Sequence, residues 1–345
     1  SGIYYKPNSE KAINCKKGYK LLIKFCEENS IKYEICGKLI VGFNDNDLTK
    51  LNKLKVNGEI NGLRGLKIIN SNSEIKKIEP ECNAKYALHI PQTGIVNYSL
   101  VGEKLKEKII SKGGEFIFNS KVLEIKNLSE KVILNTIDEK YYFDYVITCM
   151  GLHADKLCKS VRKNFRIVPF KGKYYQLTNT KALNIKGQIY PIPDSNFPFL
   201  GIHISKTINK EVIIGPNAIV SFGYEGYNLK DFNIFEFISI IFYVGLLKMI
   251  FNHFKYSFKE LTHNISKKYY LKEVQKYIGS INKCDLIKHR PGIRAQLMNN
   301  NGKLVDDFII EKEGKIIHVL NAPSPAATSS FSIAKDVVDK LWVKE

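Results

Sequence analysis

Arginine is scarce in this chain: five residues (Arg64, Arg162, Arg166, Arg290 and Arg294) stand beside 48 lysines. The formal net charge of +19 therefore lacks the make-up of a nucleic-acid surface, which uses clustered arginine with interleaved aromatics. The lysines are spread along the whole sequence, so the excess reads as compositional bias, and no nucleic-acid partner is expected. Such a charge still draws a protein towards anionic membrane surfaces and acidic small molecules. Paired cysteines are missing too. The seven cysteines are scattered and never form Cys-x-x-Cys, which argues against a disulfide framework and gives no metal-site signature. A reduced, cytoplasmic setting is expected, and no secretory signal is visible. Long apolar runs are also absent. Phe237 to Leu247 is eleven residues without a charge, short of the roughly 20 needed to cross a bilayer. The apolar segment 231–254 reads either as a buried helix or as an interfacial helix touching a membrane surface. No internal repeat or low-complexity linker occurs. The chain opens at Ser1 rather than Met, from which we expect residues upstream of it.

What is present suits a globular protein. A length of 345 residues, 44% of them hydrophobic and 11% aromatic, is enough for two domains with a real core. Apolar spacing predicts helices over 12–29 (through Leu21, Leu22 and Phe25), 45–57 and 99–112, the last stopped by Gly113-Gly114. Gly37 to Gly42 reads as a short buried strand. From Glu115 the period changes to two, predicting strands at 116–118, 122–125, 131–134 and 145–149. The last breaks at Gly151 before a helix at 152–155, the kind of strand-to-helix turn where α/β folds place nucleotides. A β-rich region from Phe165 to Pro216 (168–175, 189–193 and 199–203) reads as a separate antiparallel sheet. At the C-terminus, Lys315 to Leu320 predicts a strand, Asn321 to Thr328 a small-residue turn, and 325–341 a helix. Ser324 is placed to cap that helix and Pro325 to occupy its first turn, and Ala326 and Ala327 leave room for a flat ring. Free N–H groups at such an opening attract an electron-rich ligand.

Few residues carry an obvious chemical signal. In a lysine-rich chain, Arg290-Pro-Gly-Ile-Arg294 suggests a need for the planar bidentate fork, whose natural partner is a carboxylate. His203, beside Gly201, is a candidate base near neutral pH. Lys6, Tyr174 and Tyr190, with neighbouring Tyr4, Tyr5 and Tyr175, are candidates to line a polar pocket.

Taken in order, several segments form a familiar series: Gly2-Ile-Tyr-Tyr-Lys-Pro7, Cys36-Gly-Lys-Leu-Ile-Val41, Thr93-Gly-Ile-Val96, Cys149-Met-Gly-Leu-His-Ala-Asp155, Val168-Pro-Phe-Lys-Gly-Lys-Tyr-Tyr175, Phe197-Pro-Phe-Leu-Gly-Ile-His203, Pro291-Gly-Ile-Arg-Ala-Gln296 and Leu320-Asn-Ala-Pro-Ser-Pro-Ala-Ala-Thr328. Over nearly the whole chain they resemble the L-2-hydroxyglutarate oxidase/dehydrogenase branch of the D-amino-acid-oxidase-like flavoproteins. The resemblance implies a mixed α/β fold in which a Rossmann-like FAD-binding domain (1–33, 92–164 and 286–345) interleaves with an antiparallel-sheet substrate domain (34–91 and 165–285). It places Val122 near the adenine, Gly151 by the cofactor phosphates, and the loop Ala322, Pro323, Ser324, Pro325, Ala326, Ala327 and Thr328 against the isoalloxazine ring. It gives Arg294 the substrate carboxylate in oxidation of a small 2-hydroxy acid, a reaction for which we expect His203 to be the base. Electrons then pass to a quinone or to oxygen, and residues 231–254 supply a peripheral contact with the inner membrane.

Three departures from the family pattern stand out. The opening strand and Gly-x-Gly-x-x-Gly turn are not in this sequence, so the first βαβ unit is expected to be missing. Lys173 stands where an acidic residue is expected, and Asn97 where Asp is expected. The alternatives are a truncated, non-catalytic remnant unable to hold FAD, or a flavin enzyme acting on another small acid.

Overall fold

The structure is a computed structural model and describes residues 2–158, 163–193, 200–221, 223–225, 227, 233–254 and 266–342. The first helix, α1 (Glu10–Glu28), is capped by Ser9, whose hydroxyl accepts from the Ala12 N–H. It buries Cys15, Leu22, Phe25 and Cys26 and leaves Leu21 exposed. After the short β1 (Tyr33–Glu34) comes β2 (Lys38–Gly42), buried along its length. Asn44 and Asp47 form a reciprocal capping box at α2 (Asp45–Ile60). The chain continues through β3 (Lys67–Ile69), α3 (Asn72–Ile78), β4 (Tyr86–Ile90) and β5 (Ile95–Val96) into α4 (Tyr98–Ser111). Asn97 caps α4 by accepting from the Ser99 N–H at 3.0 Å, a bond that Asp would also make.

The period-two stretch that follows behaves differently from its pattern. Phe116 to Phe118 joins no sheet, and its two exposed rings stack on each other under Lys106. An alternating run with no partner strand has no ladder to complete. The strands formed are β6 (Glu124–Asn127), β7 (Val132–Asn135) and the unforeseen β8 (Lys140–Phe143), an antiparallel meander, followed by β9 (Val146–Thr148), which leaves for another sheet. Then come α5 (Ala154–Leu157), the long β10 (Phe165–Leu177), α6 (Asn179–Ala182), β11 (Gln188–Pro191), β12 (His203–Lys206), β13 (Val212–Gly215) and β14 (Ile219–Val220). Phe199, which opens one expected strand, lies outside the described residues, as do 231 and 232.

Two helices bent 58° to each other follow, α7 (Ile234–Ile241) and α8 (Val244–Asn252). They bury Ile240, Gly245 and Leu246 while Phe235 (81%) and Phe251 (84%) stay exposed. A wholly buried helix is thereby ruled out. No single helix among the described residues is long and apolar enough to cross a membrane. The chain closes with α9 (Lys267–Tyr277), β15 (Leu286–Asn299), β16 (Ile309–Glu313), β17 (Ile316–Asn321) and α10 (Ala326–Trp342).

Among the described residues nine strands make the main sheet, in the order β14-β10-β13-β12-β11-β2-β4-β3, with β15 also paired to β10. It is antiparallel except at its centre, where β2 and β11 run parallel. Hairpins enforce antiparallel pairing only between strands they join; β2 and β11 come from distant segments, so the expected all-antiparallel sheet becomes mixed. β15 continues the same sheet from the far side of residue 285. One face carries Leu39, Val41, Ile189, Ile204, Ile214 and Tyr175 into the largest core, closed by Tyr270, Val274 and Tyr277 of α9. Tyr175 meets Tyr270 edge-on at 4.8 Å, so of the Tyr174-Tyr175 pair only Tyr174 is left for the opposite face. A smaller sheet, β16-β17-β9, joins the C-terminal strand in parallel to β9, with β9 at its edge.

Candidate active site

The face opposite the core gathers the polar side chains of the main sheet. Register sets Lys38 beside Gln188, Gln188 beside Ser205, and His203 beside Gly215. On this face the His203 imidazole stacks on the Tyr190 ring at 4.1 Å, and the Tyr190 hydroxyl lies 3.4 Å from Ser205 Oγ. His203 Nδ1 sits 3.1 Å from the Gly201 carbonyl, which fixes the proton on Nδ1 and leaves Nε2 as an acceptor. Desolvation lowers its pKa to about 4, opposed by the Gly201 bond and helped by the Lys38 charge. His203 is therefore neutral at physiological pH. Desolvation raises the Tyr190 and Tyr174 phenols, so both remain protonated donors.

Tyr174 occupies a slot made by two glycines. A Cβ on Gly215, which has φ +137°, would come within 2.9 Å of its ring, and one on Gly292 within 3.3 Å. The β10 register slips between Gly172 and Tyr174, where the Lys173 N–H donates to Asn217 Oδ1 at 2.8 Å. The Tyr174 phenol feels both Tyr190 and Arg294. Arg294 in β15 is half-buried; burial lowers its pKa, while Asp306, Tyr5 and Tyr174 counter that effect. Tyr5 in turn feels Arg294 and bonds Ser324. Tyr190 and His203 are in direct contact, and Tyr174 lies within electrostatic range of both Tyr190 and Arg294.

Lys6 is not part of it. It is exposed and lines a cleft of about 460 Å³ with Lys11, Lys303 and Asp306, where buried Lys11 pairs with Asp306 at 2.7 Å. Sequence reasoning missed Lys38, which is 7% exposed and lies 4.7 Å from the centres of both the Tyr4 and Tyr190 rings. Its signal was a charged residue leading the apolar run Leu39-Ile-Val41. His289 lines the same cavity of about 690 Å³ as Lys38, Tyr190 and Ser205.

The C-terminal loop reaches this region through Thr328, whose Oγ1 is 3.2 Å from the hydroxyl of Tyr98, another residue lining that cavity. Helix α10 begins at Ala326, just after Pro325, and the Ser324 hydroxyl turns to Tyr5 instead of capping it. Among the described residues, no backbone carbonyl accepts from the N–H groups of Ala327 or Thr328. Close approach of α1 to this opening depends on Gly18, where a Cβ would lie 2.5 Å from the Ser329 Cα. Elsewhere, Val122 lines an apolar groove of about 460 Å³ with Val146, Met150 and His153. Next to Met150, Gly151 has φ +53° and open space around it. Cys158, Glu313 and His318 also cluster, with one potential ligand atom each within 4.8 Å, although His318 Nδ1 is already bonded to Thr148 at 2.9 Å.

A donor-rich helix opening beside a sheet-borne polar pocket, with a separate groove at the end of β9, is the layout of a flavin-dependent oxidoreductase. Solved structures carry the same fold: L-alpha-glycerophosphate oxidase from Mycoplasma pneumoniae, with FAD bound, superposes with a TM-score of 0.76 at 19% identity over 99% of this chain and 82% of that one. Glycine oxidase from Bacillus cereus gives 0.68 at 12% identity, over 95% and 81%. The chain belongs to the FAD dependent oxidoreductase (DAO) family, whose signature matches residues 1–340. Among its relatives are the L-2-hydroxyglutarate dehydrogenases of Indibacter alkaliphilus (40% identical, 98% of this chain and 86% of that one) and Escherichia coli K12 (34%, 99% and 81%). The mitochondrial enzyme of Homo sapiens is 37% identical over 99% of this chain and 78% of its own length.

The residues present fit the family's cofactor. The Ala327 and Thr328 N–H groups are donors of the kind the electron-rich edge of a flavin needs, and the groove at Val122 and the space at Gly151 are open.

Proposed function

We propose that this protein oxidises L-2-hydroxyglutarate to 2-oxoglutarate with FAD as the immediate oxidant. The observation that supports the proposal is the stack of a neutral His203 on Tyr190 in the same sheet whose strands β10 and β15 carry Tyr174 and Arg294. A bound FAD would supply the two-electron oxidising chemistry that takes up the α-hydrogen with its electron pair, its ring held at the α10 opening by Ala327 and Thr328. Arg294 grips the carboxylate beside the carbinol carbon in the bidentate manner that suits guanidinium. The hydroxyl proton goes to His203 Nε2 as the carbonyl forms, and the Gly201 carbonyl supports the imidazolium through Nδ1–H. Tyr190 holds the imidazole plane, so the base meets substrate already oriented. The α10 opening favours negative charge on the ring edge by about 0.3 to 2 kcal/mol.

In this proposal, residues 1–33, 92–164 and 286–345 hold the cofactor and 34–91 with 165–285 hold the substrate, β15 serving both by carrying Arg294 in the main sheet. The electrons leave to a membrane quinone rather than to oxygen. The exposed phenylalanines of α7 and α8 support docking on an anionic inner-membrane surface from the cytoplasmic side. The test is turnover: the FAD-loaded protein should form one 2-oxoglutarate per two electrons delivered to a soluble quinone analogue. Turnover with 2-hydroxybutyrate as fast as with L-2-hydroxyglutarate would refute the dicarboxylate assignment.

A further inference from the structure

Lys38 is a buried ammonium with three N–H donors and, among the described residues, no hydrogen-bond acceptor and no carboxylate partner. Two phenol rings flank it. A cation–π clamp offsets part of the desolvation of a lysine but meets none of its donors. The ionisable groups acting on it or near it are Tyr4, Tyr190, His203 and Cys15, none of them a carboxylate. The acidic side chains near its cavity are engaged elsewhere: Glu211 accepts from Gln176 Nε2 at 3.3 Å, and Glu34 pairs with Lys206 at 2.9 Å. Its side chain lines the 690 Å³ cavity beside Tyr190 and Ser205, one aromatic ring away from His203.

Resting on the 2-hydroxy dicarboxylate assignment above, we infer that Lys38 is the second anion-binding group of the active site and takes the carboxylate remote from the carbinol carbon. A dicarboxylate presents one anion to Arg294 and the other to Lys38, and its carbinol is held between them near His203. A monocarboxylic 2-hydroxy acid leaves Lys38 without a partner, which is the penalty that separates the two substrate classes. Desolvation lowers the Lys38 pKa to about 8, so it still carries its charge at neutral pH.

The test uses two non-oxidisable ligands, glutarate and butyrate, titrated calorimetrically into the FAD-loaded protein. The wild type should prefer glutarate by roughly 10- to 100-fold. Lys38→Met should bind butyrate as before and lose the preference, and Lys38→Arg should regain part of it. Unchanged butyrate affinity shows that the variant is folded; if Lys38→Met does not fold, Lys38→Gln replaces it in the same comparison. A variant that keeps the glutarate preference overturns the Lys38 assignment alone. Absence of any preference in the wild type overturns the dicarboxylate assignment and, with it, this one.

Discussion

The His203 imidazole lies on the Tyr190 ring with centroids 4.1 Å apart and planes inclined by 24°. Packing, rather than a carboxylate, orients the base. His203→Asn should lower kcat by roughly 100- to 10,000-fold, the range for loss of a positioned general base. Tyr190→Phe keeps the stacked ring and should change kcat far less than Tyr190→Ala. Equal losses in the two Tyr190 variants would remove the stacking argument.

The pH dependence follows from two depressed pKa values. His203, at about 4, stays an unprotonated base well below the ordinary 6.5, and Lys38, at about 8, loses its charge well below the ordinary 10.5. The kcat/KM profile should therefore be level from about pH 5 to 7 and fall above about 8. Stability runs the same way in both windows, since the unfolded chain binds the proton more tightly. As pH falls from 6.5 towards 4, His203 costs stability; as pH rises from 8 towards 10.5, Lys38 returns it. An acid limb near 6.5 in wild-type kcat/KM would contradict the His203 assignment.

Arg294 is expected to tolerate neither removal nor conservative exchange. Arg294→Met should lower kcat/KM by roughly 30-fold or more, equivalent to about 2 to 5 kcal/mol for breaking a half-buried charge pair. Arg294→Lys restores the charge without the fork and should recover only part of the loss. Steady-state kinetics on L-2-hydroxyglutarate would show it, and full activity in the lysine variant would mean that bidentate binding is not used.

Glu79 fixes the approach to β11. Its buried carboxylate accepts from the Lys186 N–H at 3.0 Å and from the Gly187 N–H, immediately before the strand that carries Tyr190. Glu79→Ala leaves two N–H groups without their acceptor and should destabilise the fold by about 2 to 4 kcal/mol. Glu79→Gln retains one acceptor oxygen and should lose less. Denaturant unfolding of the three proteins would decide the order.

Phe235 and Phe251 project from the bent pair α7 and α8. Replacing both with Glu should weaken co-sedimentation with anionic phospholipid vesicles by roughly tenfold or more, because each buried aromatic contributes about 1.5 to 3 kcal/mol. Turnover with a soluble acceptor should not change. Undiminished vesicle binding would show that the membrane face lies elsewhere.

Much of the local structure is legible in the residues themselves. Asn97, the Asn44 to Asp47 box and Gly113-Gly114 mark helix ends through backbone hydrogen bonding, which needs no distant partner. The C-terminal strand, turn and helix also follow from their pattern, although Ser324 turns to Tyr5 instead of capping the helix. What depends on tertiary pairing is not legible. Phe116 to Phe118 alternates like a strand but finds no neighbour, whereas Lys140 to Phe143 becomes one because a turn at Thr136 to Glu139 folds it back on β7. Lys38 reads as an ordinary lysine ahead of a buried strand until parallel pairing with β11 sets it beside Tyr190. Lys6 stands in a promising motif, yet its side chain reaches a different cleft. Arg294 was readable because arginine is so rare here, a signal of composition rather than of fold.

The most direct test is anaerobic. The chain is purified with FAD, freed of unbound cofactor by gel filtration, and mixed with L- or D-2-hydroxyglutarate while its visible spectrum is recorded. Flavin absorption that co-elutes with the protein and is bleached by the L isomer alone, with 2-oxoglutarate formed in equal amount, is the expected result. A colourless protein, or a bound flavin that neither isomer reduces, would contradict the proposed oxidation of L-2-hydroxyglutarate by this chain.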